Sequence, residues 1–276
     1  ITLHQKVEIP TTSPGNSIEE VKQTITHPAA HESHPCDAHC SSFVTHQSEK
    51  RWINARQIHR QHRLHRRSHR WRCAGELASL SPTSRLSALT RCLQEEAGAI
   101  ATAADRLQSD QVEHALALLE RCADRKAKLV ITGVGKSGIV ARKIAATFSS
   151  IGLMALYLNP LDALHGDLGV VAPDDVCLLL SNSGETTELL AILPHLIRRG
   201  TARIALVGRS ESSLASGSDV VLEASVDKEV CPLNLAPTAS TAVAMAIGDA
   251  LAAVWMERRG ISPADFASNH PAGSLG

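Results

Sequence analysis

A glycine-rich turn containing one lysine, ITGVGKSG, occupies residues 131–138 and follows an apolar run. It is not a P-loop, because a P-loop ending at Lys136 needs a glycine at the position held by Val130. Its glycine spacing fits a dinucleotide fingerprint, but the next apolar run ends in Asn159 and Pro160, without the carboxylate that grips a ribose. Alone, the turn is more typical of a tight strand-to-helix connection with a solvated Lys136.

A second polar turn, SNSGETTE, follows the apolar run at residues 176–180. Hydroxyls from Ser181, Ser183 and Thr186, together with backbone N–H groups at a helix N-terminus, form a phosphate cradle that needs no metal. Glu185 and Glu188 follow at once, and a carboxylate so close to a bound phosphate suits chemistry better than binding. The alternative is an ordinary helix cap with acidic residues in the first turn.

Short apolar runs alternate with helical patterns and would position both turns. Hairpin turns are missing between these runs, so the pattern predicts an α/β fold with a doubly wound, five-stranded parallel sheet. Ligands in such folds bind beyond the carboxyl ends of the strands, where both turns lie. Two helices precede the sheet, the first with Ser84 as its cap, and a long helix from Ser240 to Arg259 follows it. The predicted strands are KLVITGV, MALYLN, VCLLLSNS, RIALVG and DVVLEA.

The first 78 residues have a different character from the rest. Ten of the 14 histidines precede residue 75, and residues 55–72 interleave Arg and His with few large apolar side chains. Such a segment buries too little apolar surface to offset its ordering entropy, so we predict a mostly disordered extension over 1–78 and a folded domain over 79–276. A basic arm that contacts nucleic acid is the alternative, which the lack of a helix-turn-helix pattern disfavours, so no nucleic-acid partner is expected. Cysteine and histidine at 34–40 are zinc-type ligands, but no second ligand pair follows at a finger-like spacing.

Bulk composition narrows the class of protein. The formal net charge is +0, which gives no global basic field for nucleic acid or membrane. Seven cysteines without a signal peptide indicate reduced thiols and a cytoplasmic location. Residues 235–256 are long enough to span a bilayer, but Asp249 and many small residues favour a buried helix that packs on the sheet, so no membrane partner is expected.

Six motifs occur together in a specific order from about Leu86 to the end of the chain. In this order the chain resembles the sugar isomerase (SIS) domain of D-arabinose 5-phosphate isomerases. The resemblance implies a flavodoxin-like fold, no cofactor, and interconversion of D-ribulose 5-phosphate and D-arabinose 5-phosphate, which supplies synthesis of Kdo, a lipopolysaccharide sugar. The motifs are ITGVGKSG, ALHGDLG, LSNSGETTE, KEVCPLNLAPTAST, MAIGDALA and SNHPAGSLG.

The resemblance also assigns roles to individual residues. It implies four catalytic residues, Lys136, Glu188, Glu229 and His270. The substrate-binding positions that we expect beside them are Gly135, Ser137, Gly152, Asn159, His165, Ser181, Asn182, Ser183, Gly184 and Thr186.

The chain departs from the family pattern in two places. Relatives often have His-Pro where this chain has Asn159-Pro160, and that histidine can take zinc, so no metal is expected here. Many relatives continue into a pair of nucleotide-sensing CBS domains, whereas this sequence stops at Gly276, and we expect no regulation through such domains.

Aldose–ketose isomerisation moves a proton between C1 and C2 through a cis-enediolate. We expect Glu229 to carry that proton, with a pKa raised toward neutrality by burial, and the structural alternative is a solvated acid paired with Lys228. Lys136 would stabilise the negative charge of the enediolate or phosphate, and Glu188 would orient Lys136 or the sugar hydroxyls. His270 would open the sugar ring or move protons at O1 and O2, reaching the site of a neighbouring subunit.

The helices over 84–124 and the terminal histidine together predict a dimer or tetramer with shared sites. Of the two, we expect a homotetramer. Two other functions compete with this one. The first is an SIS isomerase that acts on a longer ketose phosphate. The depth of the pocket determines which sugar length is accepted, so this alternative stays open. The second is a sugar-phosphate sensor whose N-terminal arm binds nucleic acid.

Overall fold

The computed structural model describes residues 82–272. The predictions for the extension over 1–78, including the basic stretch at 55–72 and the cysteine-histidine cluster at 34–40, lie outside the described residues. So does the start of the predicted domain at residue 79.

A five-stranded parallel sheet forms the centre of the domain, in the order β2-β1-β3-β4-β5. This is the flavodoxin-like order, and the predicted fold class is confirmed. The strands are β1 Leu129–Gly133, β2 Ala155–Leu158, β3 Val176–Ser181, β4 Ala202–Val207 and β5 Val220–Glu223. The helices are α1 Pro82–Arg106, α2 Ser109–Asp124, α3 Lys136–Ser150, α4 Pro160–Leu164, α5 Thr187–Arg199, α6 Ser213–Ser216, α7 Ala239–Arg259 and α8 Pro263–Ser268, with a 3₁₀ turn at Asp167–Val170.

Apolar cores cover both faces of the sheet, which explains why β1 and β3 are buried at every residue. Side chains alternate along each strand, so Ile131 contributes to one face and Val130 to the other. The first face packs against α2, α3 and α7, with Ile144 and Val243 among its buried residues. The second packs against α4 and α5, where Ile192 is fully buried.

Two expectations about helices had different outcomes. The first helix begins at Pro82, so Ser84 lies inside it and the prediction of Ser84 as its cap was wrong. Within residues 82–272, α7 is the one helix with the length and composition to cross a membrane. Its residues Val243, Ile247 and Trp255 are buried in the core, as predicted for a helix that packs on the sheet.

The parallel topology gives the sheet two distinct edges. Helix α3 starts three residues after β1 ends and finishes shortly before β2 begins, so it runs from the carboxyl edge of the strands to the amino edge. Helix α7 runs the same way, because its end at Arg259 forms an ion pair of 2.7 Å with Asp124, which precedes β1. The segment that follows Arg259, including α8, therefore lies at the amino edge.

Candidate functional site

A cavity of about 200 Å³ opens at the carboxyl edge of the sheet, beside the point where β1 and β3 are neighbours. Connections leave the sheet on opposite faces there, which is where ligands bind in this topology. First-turn residues of α3 and α7 line the cavity together with the end of β3. Its polar lining residues are Lys136, Ser137, Ser181, Asn182, Ser240 and Thr241.

The glycine-rich turn brings Lys136 to this cavity through one glycine with a positive φ and one close approach of the backbone. Gly135 has φ +59°, a conformation that side chains rarely adopt, and it precedes Lys136 at the first position of α3. Gly138 packs on the end of β1, because a Cβ there would lie 2.7 Å from the Gly133 carbonyl oxygen. Tyr157 donates a hydrogen bond of 2.9 Å to the same carbonyl. The glycine pattern is therefore explained by strand-to-helix packing, and Lys136 is left exposed at the cavity.

The serine turn after β3 is closed by its own hydroxyl groups. Gly184 N–H donates to Ser181 Oγ at 3.0 Å, and Glu185 N–H donates to Ser183 Oγ at 3.1 Å. Ser181 Oγ also lies 2.7 Å from Thr186 Oγ1. The prediction that this turn offers free backbone N–H groups was therefore wrong for Gly184 and Glu185, whose N–H groups are already bound. Thr186 makes no side-chain cap, so the N-terminus of α5 still offers N–H groups and its dipole to an anion.

Glu229 lies on the irregular segment between β5 and α7, as predicted, and its carboxylate accepts four hydrogen bonds from the start of α7. Thr238 donates to Oε2 from its N–H at 2.8 Å and from its hydroxyl at 3.0 Å. Ser240 donates from its N–H to Oε2 at 3.2 Å and from its hydroxyl to Oε1. Ser240 also lines the cavity, together with Lys136 and Ser181. Glu229 is not itself a lining residue, and its contact with the cavity wall is through Ser240.

The electrostatic environment of Glu229 differs from the expectation. Burial raises the pKa of this carboxyl, but the hydrogen bonds from Ser240 and Thr238 outweigh burial and hold the pKa below its ordinary value. The predicted rise toward neutrality was wrong, because the sequence does not reveal the donors that gather around the carboxylate. The structural alternative, a solvated Glu229 paired with Lys228, is not observed, since Lys228 pairs with Glu95 at 3.3 Å.

Other predicted residues lie at the carboxyl edge but outside the cavity lining. Glu188 is half-buried at the second residue of α5, and no ion pair between it and Lys136 is present in the described part of the chain. The Asn159 side chain caps α4 by accepting a hydrogen bond of 3.0 Å from Leu161 N–H. His165 is exposed at the end of the same short helix.

His270 and Gly152 lie at the amino edge of the sheet, whereas the cavity lies at the carboxyl edge. Asn269 donates a hydrogen bond of 3.4 Å to the carbonyl of Ser150, the last residue of α3. The His270 ring stacks on Phe266 with centroids 4.0 Å apart, and its Nδ1 lies 2.8 Å from the Phe266 carbonyl oxygen. A single chain therefore does not bring its own His270 to its own cavity.

Ser240 and Thr241 line the cavity, yet sequence analysis gave them no role. Both were visible as hydroxyl residues at the start of the predicted long helix, inside the motif KEVCPLNLAPTAST. The signal that could have identified them is this position, because hydroxyls in the first turn of a helix are well placed to bind an anion or to hold a carboxylate.

The chain is similar to known proteins in sequence and in fold. The SIS domain model matches residues 123–254. Arabinose 5-phosphate isomerase KdsD of Pseudomonas aeruginosa is 50% identical over 151 residues, which are 55% of this chain and 46% of that protein. Arabinose 5-phosphate isomerase KpsF of Escherichia coli O6:H1 is 42% identical over 191 residues, 69% of this chain and 58% of that protein. The chain thus spans about half the length of the curated relatives it matches.

One similar solved structure aligns with this chain over its whole length. The structure of an E. coli CFT073 protein in complex with arabinose 5-phosphate has a TM-score of 0.65 and 38% sequence identity, and the alignment covers 70% of this chain and 100% of that one. The family model, the sequence identities and the structural alignment therefore agree, and the chain belongs to the SIS domain family.

Proposed function

We propose that the protein is an aldose–ketose isomerase that interconverts D-ribulose 5-phosphate and D-arabinose 5-phosphate. The observation that carries this proposal is the link through Ser240, which lines the cavity with Lys136 and Ser181 and donates a hydrogen bond to Glu229. A base, a cation and an anion-binding turn would thus act at one cavity, with Glu229 held beside it by Ser240. The identity of the substrate is inferred from the relatives, namely from the names of KdsD and KpsF and from the arabinose 5-phosphate bound to the E. coli protein.

The phosphate group of the sugar would bind at the N-terminus of α5. Thr186 leaves that terminus without a side-chain cap, and Ser181, Ser183 and Thr186 place three hydroxyls beside it. Asn182 and Ser137 line the adjoining wall of the cavity. Because these donors are neutral, the positive end of the helix dipole and the ammonium of Lys136 would supply the compensating charge.

Proton transfer would then proceed at the other end of the sugar. The lowered pKa keeps Glu229 ionised at neutral pH, so its carboxylate can accept the C1 proton of the ketose. The electron pair of that C–H bond forms the C1–C2 double bond of the enediolate, while the C2 carbonyl becomes an oxyanion. Lys136 would stabilise that oxyanion. Transfer of the O1 proton to O2 and return of the carried proton from Glu229 to C2 then leave a C1 carbonyl and a C2 hydroxyl, which is the aldose.

A second copy of the chain would complete this site. His270 lies at the amino edge, where Gly152 is its near neighbour, since a Cβ on Gly152 would be 3.7 Å from Asn269 Nδ2. Both residues would therefore act in the cavity of a neighbouring subunit, in a dimer or tetramer with shared sites. Glu188, Asn159 and His165 would contact the sugar hydroxyls from the rim of the cavity.

The cellular role follows from the product. Arabinose 5-phosphate would supply the synthesis of Kdo for lipopolysaccharide, in the cytoplasm, without a cofactor or metal.

Turnover of D-ribulose 5-phosphate tests the proposal directly. We expect the parent protein to form arabinose 5-phosphate, and Glu229→Gln to lower kcat by at least about a hundredfold, since it removes the base while leaving the side-chain shape. Glu257→Gln is the matched control, because Glu257 is exposed near the far end of α7.

Two outcomes would contradict this function. A parent protein that binds arabinose 5-phosphate but does not turn it over is a sensor. Faster turnover of a six- or seven-carbon ketose phosphate would identify an isomerase for longer sugars.

A further inference from the structure

Arg106, the last residue of α1, holds the segment that precedes Glu229. One guanidinium nitrogen donates to the Ser225 carbonyl at 3.1 Å and to Ser225 Oγ at 2.9 Å. The other terminal nitrogen donates to Asp227 Oδ1 at 2.7 Å. A single side chain thus fixes both the backbone and the side chains of this segment, which connects β5 to Glu229.

The same segment is held at two further points. Ser225 Oγ donates to Glu223 Oε1 at 2.6 Å, which ties the segment to the end of β5. Lys228, the residue before Glu229, pairs with Glu95 of α1 at 3.3 Å. Residues 225–228 are therefore bound to α1 at one end by Arg106 and at the other by Glu95.

The connection between α1 and the segment combines these polar contacts with a gap in the packing. A cavity of about 150 Å³ lies between α1 and the segment, and Glu95, Thr102 and Arg106 line it from the helix side. Loss of the Arg106 side chain would enlarge this space and leave Asp227 without its cation. The segment would then be free to shift, and Glu229 would shift with it.

We propose that Arg106 is a positioning residue that sets the place of Glu229 beside the cavity. This inference rests on the proposed function, in which Glu229 is the base. A shift of about 1 Å in a catalytic group lowers rates by as much as a hundredfold. Arg106 lies outside residues 123–254, which the SIS domain model matches, so α1 contributes to the site from beyond that region.

The role depends on the shape of arginine as well as on its charge. Its planar fork reaches Ser225 and Asp227 together, whereas the ammonium of lysine is a point donor on a flexible stem. Arg106→Lys should therefore recover only part of the effect.

Steady-state kinetics of Arg106→Ala across pH, with D-ribulose 5-phosphate as substrate, test this role. We expect kcat to fall about tenfold to a hundredfold with KM changed by less than about threefold, because binding groups stay in place while the base moves. In the pH profile of kcat/KM, the acid limb, where activity is lost as Glu229 is protonated, should move to higher pH. Donors from Ser240 and Thr238 hold the pKa of Glu229 down, so weaker contacts let that pKa rise.

Arg258→Ala is the matched control. Arg258 also makes three side-chain bonds between separate elements, to Glu113 and Glu120 of α2. It lies at the amino edge, far along α7 from Glu229. Its removal should lower the thermal unfolding temperature but leave kcat and the acid limb unchanged.

A titration that does not need turnover separates this inference from the proposed function. Carbon-13 NMR of the glutamate carboxyls, with Glu229→Gln to assign the resonance, reports the pKa of Glu229 directly. A raised pKa in Arg106→Ala, but not in Arg258→Ala, supports the positioning role even if the parent protein proves inactive.

Unchanged kinetics and an unchanged pKa in folded Arg106→Ala overturn the inference while the isomerase function stands. If Arg106→Ala does not fold, Asp227→Asn and Arg106→Lys provide milder tests. Each weakens the contact with Asp227 and should produce a smaller shift in the same direction. The absence of any shift in both would equally overturn the role of Arg106.

Discussion

The Ser240 hydroxyl donates a hydrogen bond to the Glu229 carboxylate, although eleven positions separate the two residues in the chain. This bond links the irregular segment after β5 to the first turn of α7 and places Glu229 beside the cavity that Ser240 lines. The carboxylate also accepts backbone N–H groups of α7, so it fills the role of a helix cap for a helix whose N-cap residue, Thr238, makes no side-chain cap of its own. One carboxylate thus stabilises the start of α7 and is held beside the cavity.

Ser240→Ala should raise the pKa of Glu229, because it removes one of the donors that favour the charged form. The acid limb of kcat/KM should therefore move to higher pH. The free energy of unfolding at neutral pH should fall by about 1.5–3 kcal/mol, the usual size of a hydrogen bond to a charged group.

The stability effect has a defined pH dependence. A carboxyl whose pKa is lowered in the folded state stabilises the fold above its ordinary pKa, and this contribution is lost as pH falls through the lowered value. Urea unfolding at neutral and acidic pH should thus show the difference between parent and Ser240→Ala shrinking in acid. Ser218→Ala, which removes a hydroxyl bound to Leu214, is the control and should leave the acid limb in place. An unshifted limb in Ser240→Ala would show that Ser240 does not tune the base.

Two inactive variants should restore activity when they share an oligomer. Glu229→Gln and His270→Ala affect opposite edges of the sheet, so a mixed pair of subunits retains one intact site made from both chains. With random assembly after co-expression, roughly a quarter of the parent kcat should return. Each variant assembled with itself should stay inactive. Failure of the mixture to recover, in oligomers shown to contain both chains, would mean that His270 does not act in the cavity of a second copy.

Gly138→Ala should destabilise the fold by about 1–3 kcal/mol, as overpacking does when backbone atoms must move. A Cβ at this position would meet the Gly133 carbonyl oxygen at 2.7 Å. Gly98→Ala is the control in a helix with open space around the site, and it should instead stabilise by about 0.5–1 kcal/mol. Chemical unfolding of both variants measures the difference. Equal stabilities would show that the strand-to-helix approach tolerates a side chain.

Cys231 should react with iodoacetamide faster at neutral pH than the buried cysteines do. Backbone N–H groups of Leu235 and Ala236 donate to its sulfur, each at 3.1 Å, and lower the pKa of the thiol. Burial raises the pKa of Cys122 to about 11 and that of Cys177 to about 12. Mass spectrometry of the alkylated peptides gives the three rates. Comparable rates for Cys231 and Cys177 would contradict this assignment.

Local patterns in the sequence were sufficient for the fold. Apolar runs such as residues 176–180 are buried on both faces, and this burial requires the alternation of strands and helices that the sequence displays. The turn with Lys136 and the turn with Ser181 could also be assigned to one edge, because carboxyl ends of parallel strands always share an edge.

Only the tertiary structure decided where the other candidate residues lie and what surrounds them. It placed His270 at the opposite edge from Lys136, and it surrounded Glu229 with donors that lower its pKa instead of leaving burial to raise it. It also brought Arg106 to Ser225 across more than a hundred residues of chain. Spacing along the chain encodes the period of helices and strands, whereas these contacts depend on which elements pack together, and that is settled by the whole core at once.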